Sequence, residues 1–493
     1  MKNIFNKAAV IIVMLFTLTA CNDLFNVNDI KNNPNAPLED QVGITPLTTG
    51  TLTLLGALHE DTDTRIAFMW GGQLAGQSRQ QAGYQDYIVS ASTFAWLNYY
   101  NVAQNARIIQ KKATALNNKV AIGMAQVVEA MVFMKLTALW GDVPYTEAFD
   151  DINHPTPKYD GQLALYNTLI ALLNTAYTNL GSGVGSISGD FIFGNRVTKW
   201  QAAAKTLQAR LYLHQKDYAN AIASAAQGIT SSANDMLMYH GGAQAIDWNM
   251  NFDFFDTSRP GDTSFDPPAY LPKFMCTDLA SGVFTVDKPV RNSKTDETGL
   301  YYHFFQYAAE SNSGLDPNTQ DGMFVQDAPH PLVTYYENQL IIAESKARLD
   351  DLQGGIDALN SVRQGLATGF INGLTSGYGP LVFTDYDLTD LQAGGTLNPN
   401  GTASAADQKL ALLTEIASEK FIIMLAQYEV FSELRRLKTT TPAIDLHIPI
   451  ANNTFTNHPT RFIYPQNEVN TNPNVPLVNG QVPDLKTVLP IFQ

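Results

Sequence analysis

Apolar residues at spacings of three and four, sustained over long stretches, constrain this chain more than any other feature. Between positions 405 and 437, Leu410, Leu413, Ala417, Phe421, Met424, Tyr428 and Phe431 fall on one helical face. Leu412, Ile416, Ile422 and Ile423 widen that stripe, so the predicted helix is buried on more than one side. Ser404 and Asp407 stand at capping-box spacing at its start, and Pro442 lies just past its end. The same period predicts helices over 96–116, 121–139 and 163–180. A further helix opens at Thr198 with Gln201 at capping-box spacing, breaks near Lys216-Asp217, and is followed by another over 218–229. One more spans 331–349 with Pro331 in its first turn, and Gly354-Gly355 marks the turn into the next.

Two of these helix–turn–helix units resemble each other. Ala209-Arg210-Leu211 leads to Tyr218-Ala219-Asn220-Ala221-Ile222, and Ala347-Arg348-Leu349 leads to Gly355-Ile356-Asp357-Ala358-Leu359, aligned with one gap. Helix pairs of about 34 residues with small residues at the crossings are the tetratricopeptide pattern. Such pairs stack because neither helix buries its apolar face alone. Between the helices lie long stretches, 239–329, 369–403 and 439–493, rich in Gly, Pro, Asn and Asp. Trp248, Phe252, Phe254, Phe255, Tyr270, Tyr301 and Tyr302 mark the first as packed loop, since disordered segments are poor in aromatics. The expected fold is mostly α. One body over 41–493 has tetratricopeptide-like repeats at 94–232 and 331–438, with a loop-rich ligand-binding region at 239–329 and 369–403 laid over them.

Residues 1–20 read as an address. Lys2 and Lys7 precede the apolar run from Ala8 to Ala20, and Leu18-Thr19-Ala20-Cys21 is similar to a bacterial lipobox. That resemblance implies cleavage before Cys21 and lipid on its sulfur, with 21–40 as a polar tether. No later stretch reads as long and apolar enough to span a membrane, so the expectation is a protein anchored by its acyl chains. With Cys21 lipidated, Cys276 has no partner and is expected as a buried small hydrophobe.

The formal net charge of −15 and the lack of any long basic run argue against nucleic acid as a partner. Charged residues make up 16%, below the roughly 25% usual in soluble domains, so neutral polar groups must cover much of the surface. A neutral polar surface suits hydroxyl-rich ligands.

Five segments in order then carry a family resemblance. Asn33-Pro34-Asn35-Ala36-Pro37 follows the lipobox, and Trp140-Gly141-Asp142-Val143-Pro144-Tyr145 follows an early helix. Tyr335-Tyr336-Glu337 leads to Leu340-Ile341-Ile342-Ala343-Glu344 and Arg348, and Glu419-Lys420-Phe421 precedes Glu429-Val430-Phe431-Ser432-Glu433-Leu434-Arg435-Arg436. Arg461-Phe462-Ile463-Tyr464-Pro465 with Glu468 and Asn470 closes the series. Over nearly its whole length the chain resembles the SusD/RagB family of surface lipoproteins, which partner SusC-like TonB-dependent transporters. The resemblance implies a lipid-anchored protein at the outer-membrane surface. It captures an oligosaccharide, or in some members a peptide, and delivers it to the transporter without catalysis or cofactor.

A sugar site needs aromatic platforms flanked by amide, carboxylate or guanidinium groups. Trp70, Arg79, Tyr84, Trp96, Asn98, Tyr99 and Asn101 supply these types, with Trp248, Tyr301 and Tyr302 in second rank. Each of these aromatics is equally suited to core packing, and Trp140 and Trp200, on helical patterns, are assigned to it. The turn from Asp316 to Gly322 has oxygen donors but lacks the closing Glu of a calcium loop, and His59-Glu60-Asp61-Thr62-Asp63 lacks the second His of a zinc protease. No phosphate loop or nucleophile elbow is present. The alternatives to glycan capture are a lipid-anchored glycoside hydrolase, whose carboxylate pair would be spatial and unreadable here, and a helical adaptor that binds only protein.

Overall fold

The computed structural model describes residues 41–492, apart from 244–246, 308–313, 376, 378, 380 and 453. The signal segment, Cys21 and the tether lie outside the described residues. The main helices are α1 (Ile44–His59), α2 (Thr62–Trp70), α3 (Arg79–Gln85), α4 (Leu97–Ala115), α5 (Lys119–Trp140), α6 (Gln162–Leu180), α7 (Val197–His214), α8 (Tyr218–Ala225), α9 (Tyr335–Arg348), α10 (Leu352–Ala367), α11 (Ala405–Ile423) and α12 (Glu429–Leu437). The fold is mostly α, as the periodicity requires, and strands are confined to antiparallel pairs two to four residues long.

From α4 to α8 each helix packs on the next, α9 then packs on α8 across the long insertion, and α10 packs back on α9. This is the stacked-hairpin arrangement expected of repeats. Small residues set the crossings. A Cβ on Gly123 of α5 would come within 2.7 Å of the Ala176 carbonyl, so only glycine lets α5 and α6 approach this closely.

The helix α5 corrects one expectation. By length and apolar composition it could cross a membrane, yet nearly all of it is buried as the central helix of the main core. Four helix boundaries also differ from the periodicity. The stripe over 405–437 is interrupted between Ile423 and Glu429, where Ala426 takes a left-handed backbone (φ 65°). Pro331 lies in a strand, His330–Val333, paired with Met236–Met238 at a register shift, a position that tolerates its missing N–H. Helix α9 instead starts from Thr334, whose side chain accepts from Glu337 N. Gly354 and Gly355 lie inside α10, capped by Asp351; a Cβ on Gly355 would be 3.1 Å from the Ala343 carbonyl, so that glycine serves helix contact. Thr198 does not cap α7, which begins one residue earlier without a side-chain cap. Ser404 does accept from Asp407 N, but the Asp407 carboxylate turns to Thr402, leaving half a capping box.

Buried ion pairs join the repeats to α12. Arg210 of α7 holds Glu337 of α9 at 2.5 Å and Glu429 of α12 at 2.7 Å. Glu433 receives His214, Lys420 and Arg436, at 2.9, 2.9 and 2.6 Å. The charged pattern of 429–436 is therefore a clasp, with every member enclosed. Trp140 and Trp200 are fully buried, with indole N–H bonds to the Ile463 carbonyl and the Asp190 carboxylate. Cys276 is buried, and burial pushes its thiol up to about 12, which fits a packing role.

Candidate ligand-binding site

The polar segment between α1 and α2 builds a buried polar centre beneath the loop that runs from His240 to Met250. Asp61 caps α2 by accepting from Thr64 N at 2.8 Å. The same carboxylate meets Lys135 Nζ at 3.0 Å, and Lys135, buried on α5, also donates to Thr64 Oγ1 at 2.7 Å and to the Leu58 carbonyl. Tyr99 Oη sits 3.0 Å from Asp61 Oδ2 and 3.0 Å from Asp63 Oδ2. A phenol carries one proton, so it donates to one carboxylate, and the other must supply a proton for a second bond. Burial and the charge of Asp61 push the Asp63 carboxyl up to about 8, so Asp63 is the group that holds that proton at neutral pH.

Glu60 fixes the overlying loop. Its carboxylate accepts from His240 Nε2 at 2.9 Å and from Met250 N at 3.0 Å, tying both ends of that loop to the start of α2. Asn249 then caps the turn by accepting from Asn251 N and Phe252 N. This places Phe254 against Arg65, whose guanidinium lies 3.7 Å from the ring centroid. Arg65 donates weakly to the Glu60 carbonyl and to Thr62 Oγ1, at 3.4 and 3.3 Å, while its Nε is enclosed without a partner among the described residues. Burial lowers its pKa to about 10. Tyr84 is half-buried and close enough to feel the charges of both Asp63 and Arg65.

On the far side of α3, Asp262 accepts from Ser78 Oγ at 2.8 Å and pairs with exposed Arg79 at 3.1 Å. Ala75–Gly76 pairs with Thr263–Ser264 alongside. Arg79 and Tyr87 bracket α3 in left-handed conformations, φ 51° and 61°. Both are costly for residues with a Cβ and are held by this network.

The structure thus brings Tyr84 to the Asp63–Arg65 side, sends Arg79 to Asp262 on the other side of α3, and anchors the loop bearing Trp248 to the start of α2 through Glu60. Trp248 is half-buried, edge-on to Phe252 at 5.0 Å, and its indole N–H is enclosed without a partner among the described residues. Other expected platforms are not open. Trp70 is buried among Tyr87, Phe94, Phe431 and Phe462, and its N–H donates to the Tyr84 carbonyl at 2.8 Å. Trp96 packs against Tyr100, Trp140, Tyr159 and Tyr464, and Tyr99 lies beneath the site as the proton-sharing link. Asn98 and Asn101 are exposed on α4, but the rings beside them point inward. Tyr301 is buried in the second core cluster with its hydroxyl on Asp287, and half-buried Tyr302 stacks edge-on to it at 5.3 Å. Arg65 carries no signal in the sequence, and the run His59–Asp63 reads there only as a zinc-protease motif lacking its second His; its part in this centre comes from α5 and α4 folding over it.

In the 316–322 turn, Asn318 Oδ1 accepts from Gln320 N and Asp321 N, closing the turn on itself. Among the described residues no group of three His, Cys, Asp or Glu side chains gathers as a metal centre.

A family described as "Starch-binding associating with outer membrane", SusD-like, matches residues 44–465. The chain belongs to the SusD-like family. No curated protein sequence matches this SusD-like chain, but solved structures share its fold. A SusD homologue from Bacteroides fragilis is 18% identical, covering 92% of this chain and 100% of its own at a TM-score of 0.61. A chitin-binding protein is 20% identical, covering 87% and 94% at 0.59. A chitin-binding SusD homologue from Flavobacterium johnsoniae is 14% identical, covering 86% and 93% at 0.57. The matched span takes in four of the five segments above, from Trp140 to Pro465; Asn33–Pro37 lies before it and outside the described residues. At these identities the structural matches speak for the fold of the SusD-like chain, and its site rests on its own residues.

Proposed function

We propose that this SusD-like chain is a non-catalytic surface lipoprotein. It captures a glycan on the face formed by Asp63, Arg65, Tyr84, Phe254 and Trp248, and passes it to a SusC-like TonB-dependent transporter. One observation carries the site: two enclosed N–H donors beside aromatic rings, Arg65 Nε and Trp248 Nε1, lack partners among the described residues. Buried donors are rarely left unsatisfied, and a sugar offers hydroxyl acceptors for them and C–H faces for the rings. The family description and the chitin-binding structures of the same fold support a glycan as cargo. Binding is favoured over hydrolysis because the carboxylate next to Asp63 is already engaged. Asp61 is held by Thr64, Lys135 and Tyr99, and Glu60 by His240 and Met250, so no free second carboxylate stands opposite Asp63. Anchoring rests on Cys21 in its lipobox setting, and delivery to a transporter rests on family membership.

The test is calorimetric titration of the purified protein with chito- and malto-oligosaccharides, followed by chromatography of the recovered sugars. One series should bind and be recovered intact. Shortened sugars would establish the hydrolase instead, and an absence of binding to either series, together with retention of peptides, would overturn glycan capture. Cys21→Ser should release the protein from membranes, and mass spectrometry of the parent should find the acylated sulfur.

A further inference from the structure

Two clefts open on either side of the segment 444–446, and they carry opposite charge. The first, about 410 Å³, lies between the end of α12 and the segments 455–460 and 486–492. Its walls are largely apolar, with Phe431, Leu434, Ile448, Phe455 and Phe492 among them. Its charged lining is Arg435, Lys438 and Lys486 against Asp445 alone, a net of +2 in a chain whose formal charge is −15. The second, about 530 Å³, is lined by Asp278, Glu415 and Asp445 against Arg291, a net of −2, and Arg291 is itself bound to Glu297, Glu415 and Glu419. The positive character therefore belongs to one cleft and not to the region.

Arg435 is the unusual member of that lining. It is buried, and its N–H groups reach the carbonyls of Phe431, Thr460 and Ala138 and the Ser432 hydroxyl, with no ion pair among the described residues. The charged neighbour it feels is a second buried guanidinium, Arg461, and burial lowers the Arg435 pKa to about 9. The one carboxylate of the lining, Asp445, stands 3.8 Å from Lys438. His458 Nδ1 is enclosed without a partner among the described residues, while its Nε2 lies 2.9 Å from the Ile448 carbonyl. A buried cation without a counter-charge is costly, and an anion entering the cleft offsets that cost.

We infer that this cleft is a second binding site, independent of the glycan face, which takes a small amphipathic carboxylate. An aromatic or short aliphatic acid would lay its apolar body along Phe431, Phe455 and Phe492 and present its carboxylate to Lys438, Lys486 and the edge of Arg435. Its size falls in the range of small-molecule pockets, roughly 300–1,000 Å³.

The probes are phenylbutyrate and its neutral amide, phenylbutyramide, titrated calorimetrically into the purified full chain at neutral pH and low salt. The acid should bind roughly tenfold or more tighter than the amide, the difference a charge-assisted contact supplies. Lys438 and Lys486 are exposed, so the double variant Lys438→Gln with Lys486→Gln should unfold at the parent temperature. It should remove most of the acid's advantage, leaving only the share that Arg435 supplies, while the affinity of the amide is unchanged. Leu434→Trp, which fills the cleft, should remove both. Equal affinity of acid and amide, no binding of either, or an acid preference undiminished in the double variant would overturn the inference.

Discussion

Tyr99 and Asp63 share a hydrogen bond of 3.0 Å beneath the glycan face, and the proton between them belongs to Asp63 at neutral pH. The carboxyl titrates at about 8 in the folded chain against 3.8 as a free side chain, because burial and Asp61 disfavour its charge. A group held above its unfolded value binds protons more tightly in the native state between those two limits. Its contribution to stability therefore falls as pH rises from about 4 to about 8 and is level above that. Asp63→Asn removes this titration. The variant should gain on the parent as pH rises through that window, as read by urea unfolding at pH 5, 7 and 9. Parallel pH profiles for the two proteins would refute the assignment.

Arg65→Met keeps much of the apolar stem over Phe254 but removes the unpartnered Nε. Loss of a hydrogen bond to a charged donor is worth about 1.5–3 kcal/mol, so oligosaccharide affinity should fall roughly 10- to 100-fold with little change in melting temperature. Titration of the folded variant checks this, and unchanged affinity would move the site elsewhere.

Trp96→Ala tests the opposite assignment. The ring is 8% exposed and wedged among Trp140, Tyr100, Tyr159 and Tyr464. Removing it should cost about 3–5 kcal/mol of stability, and the fraction that remains folded should retain its sugar. Thermal unfolding and titration together decide it. A stable variant that no longer binds would restore Trp96 as a platform.

Arg436→Ala should be among the most damaging substitutions in the chain. Its Nη1 and Nη2 reach Glu344 at 2.9 and 2.6 Å, and Nη2 also reaches Glu433 at 2.6 Å, all fully enclosed. Removing the guanidinium leaves Glu344 to Arg348 alone and Glu433 to Lys420 and His214, in a fully buried cluster, and breaking a buried pair typically costs about 3–5 kcal/mol. Denaturant unfolding should show it. Adding Glu344→Gln should recover part of the loss, since it removes one under-compensated charge.

How far the sequence reaches is visible at individual residues. The stripe Leu413, Ala417 and Phe421 is buried as its spacing requires, and Tyr336, Leu340, Ala343 and Ala347 line up on α9. Leu410, at the start of the first stripe, is 38% exposed because it lines an open cleft beside Tyr270 and Phe274. A stripe announces a buried face without saying where cover stops. The same gap explains the aromatics: Trp96 and Trp248 look alike in sequence, and only their neighbours make one a core ring and the other a half-open one.

The sequence by itself determined the helices, their pairing into hairpins and the family, because these rest on local periodicity and on motifs read in order. Tertiary structure alone decided the site. Glu60, Asp63 and Arg65 acquire their chemistry from Tyr99, His240, Met250 and Phe254, which lie tens to nearly two hundred residues away. Enclosure and charge pairing depend on groups meeting across the fold, and no local pattern of spacing records such meetings.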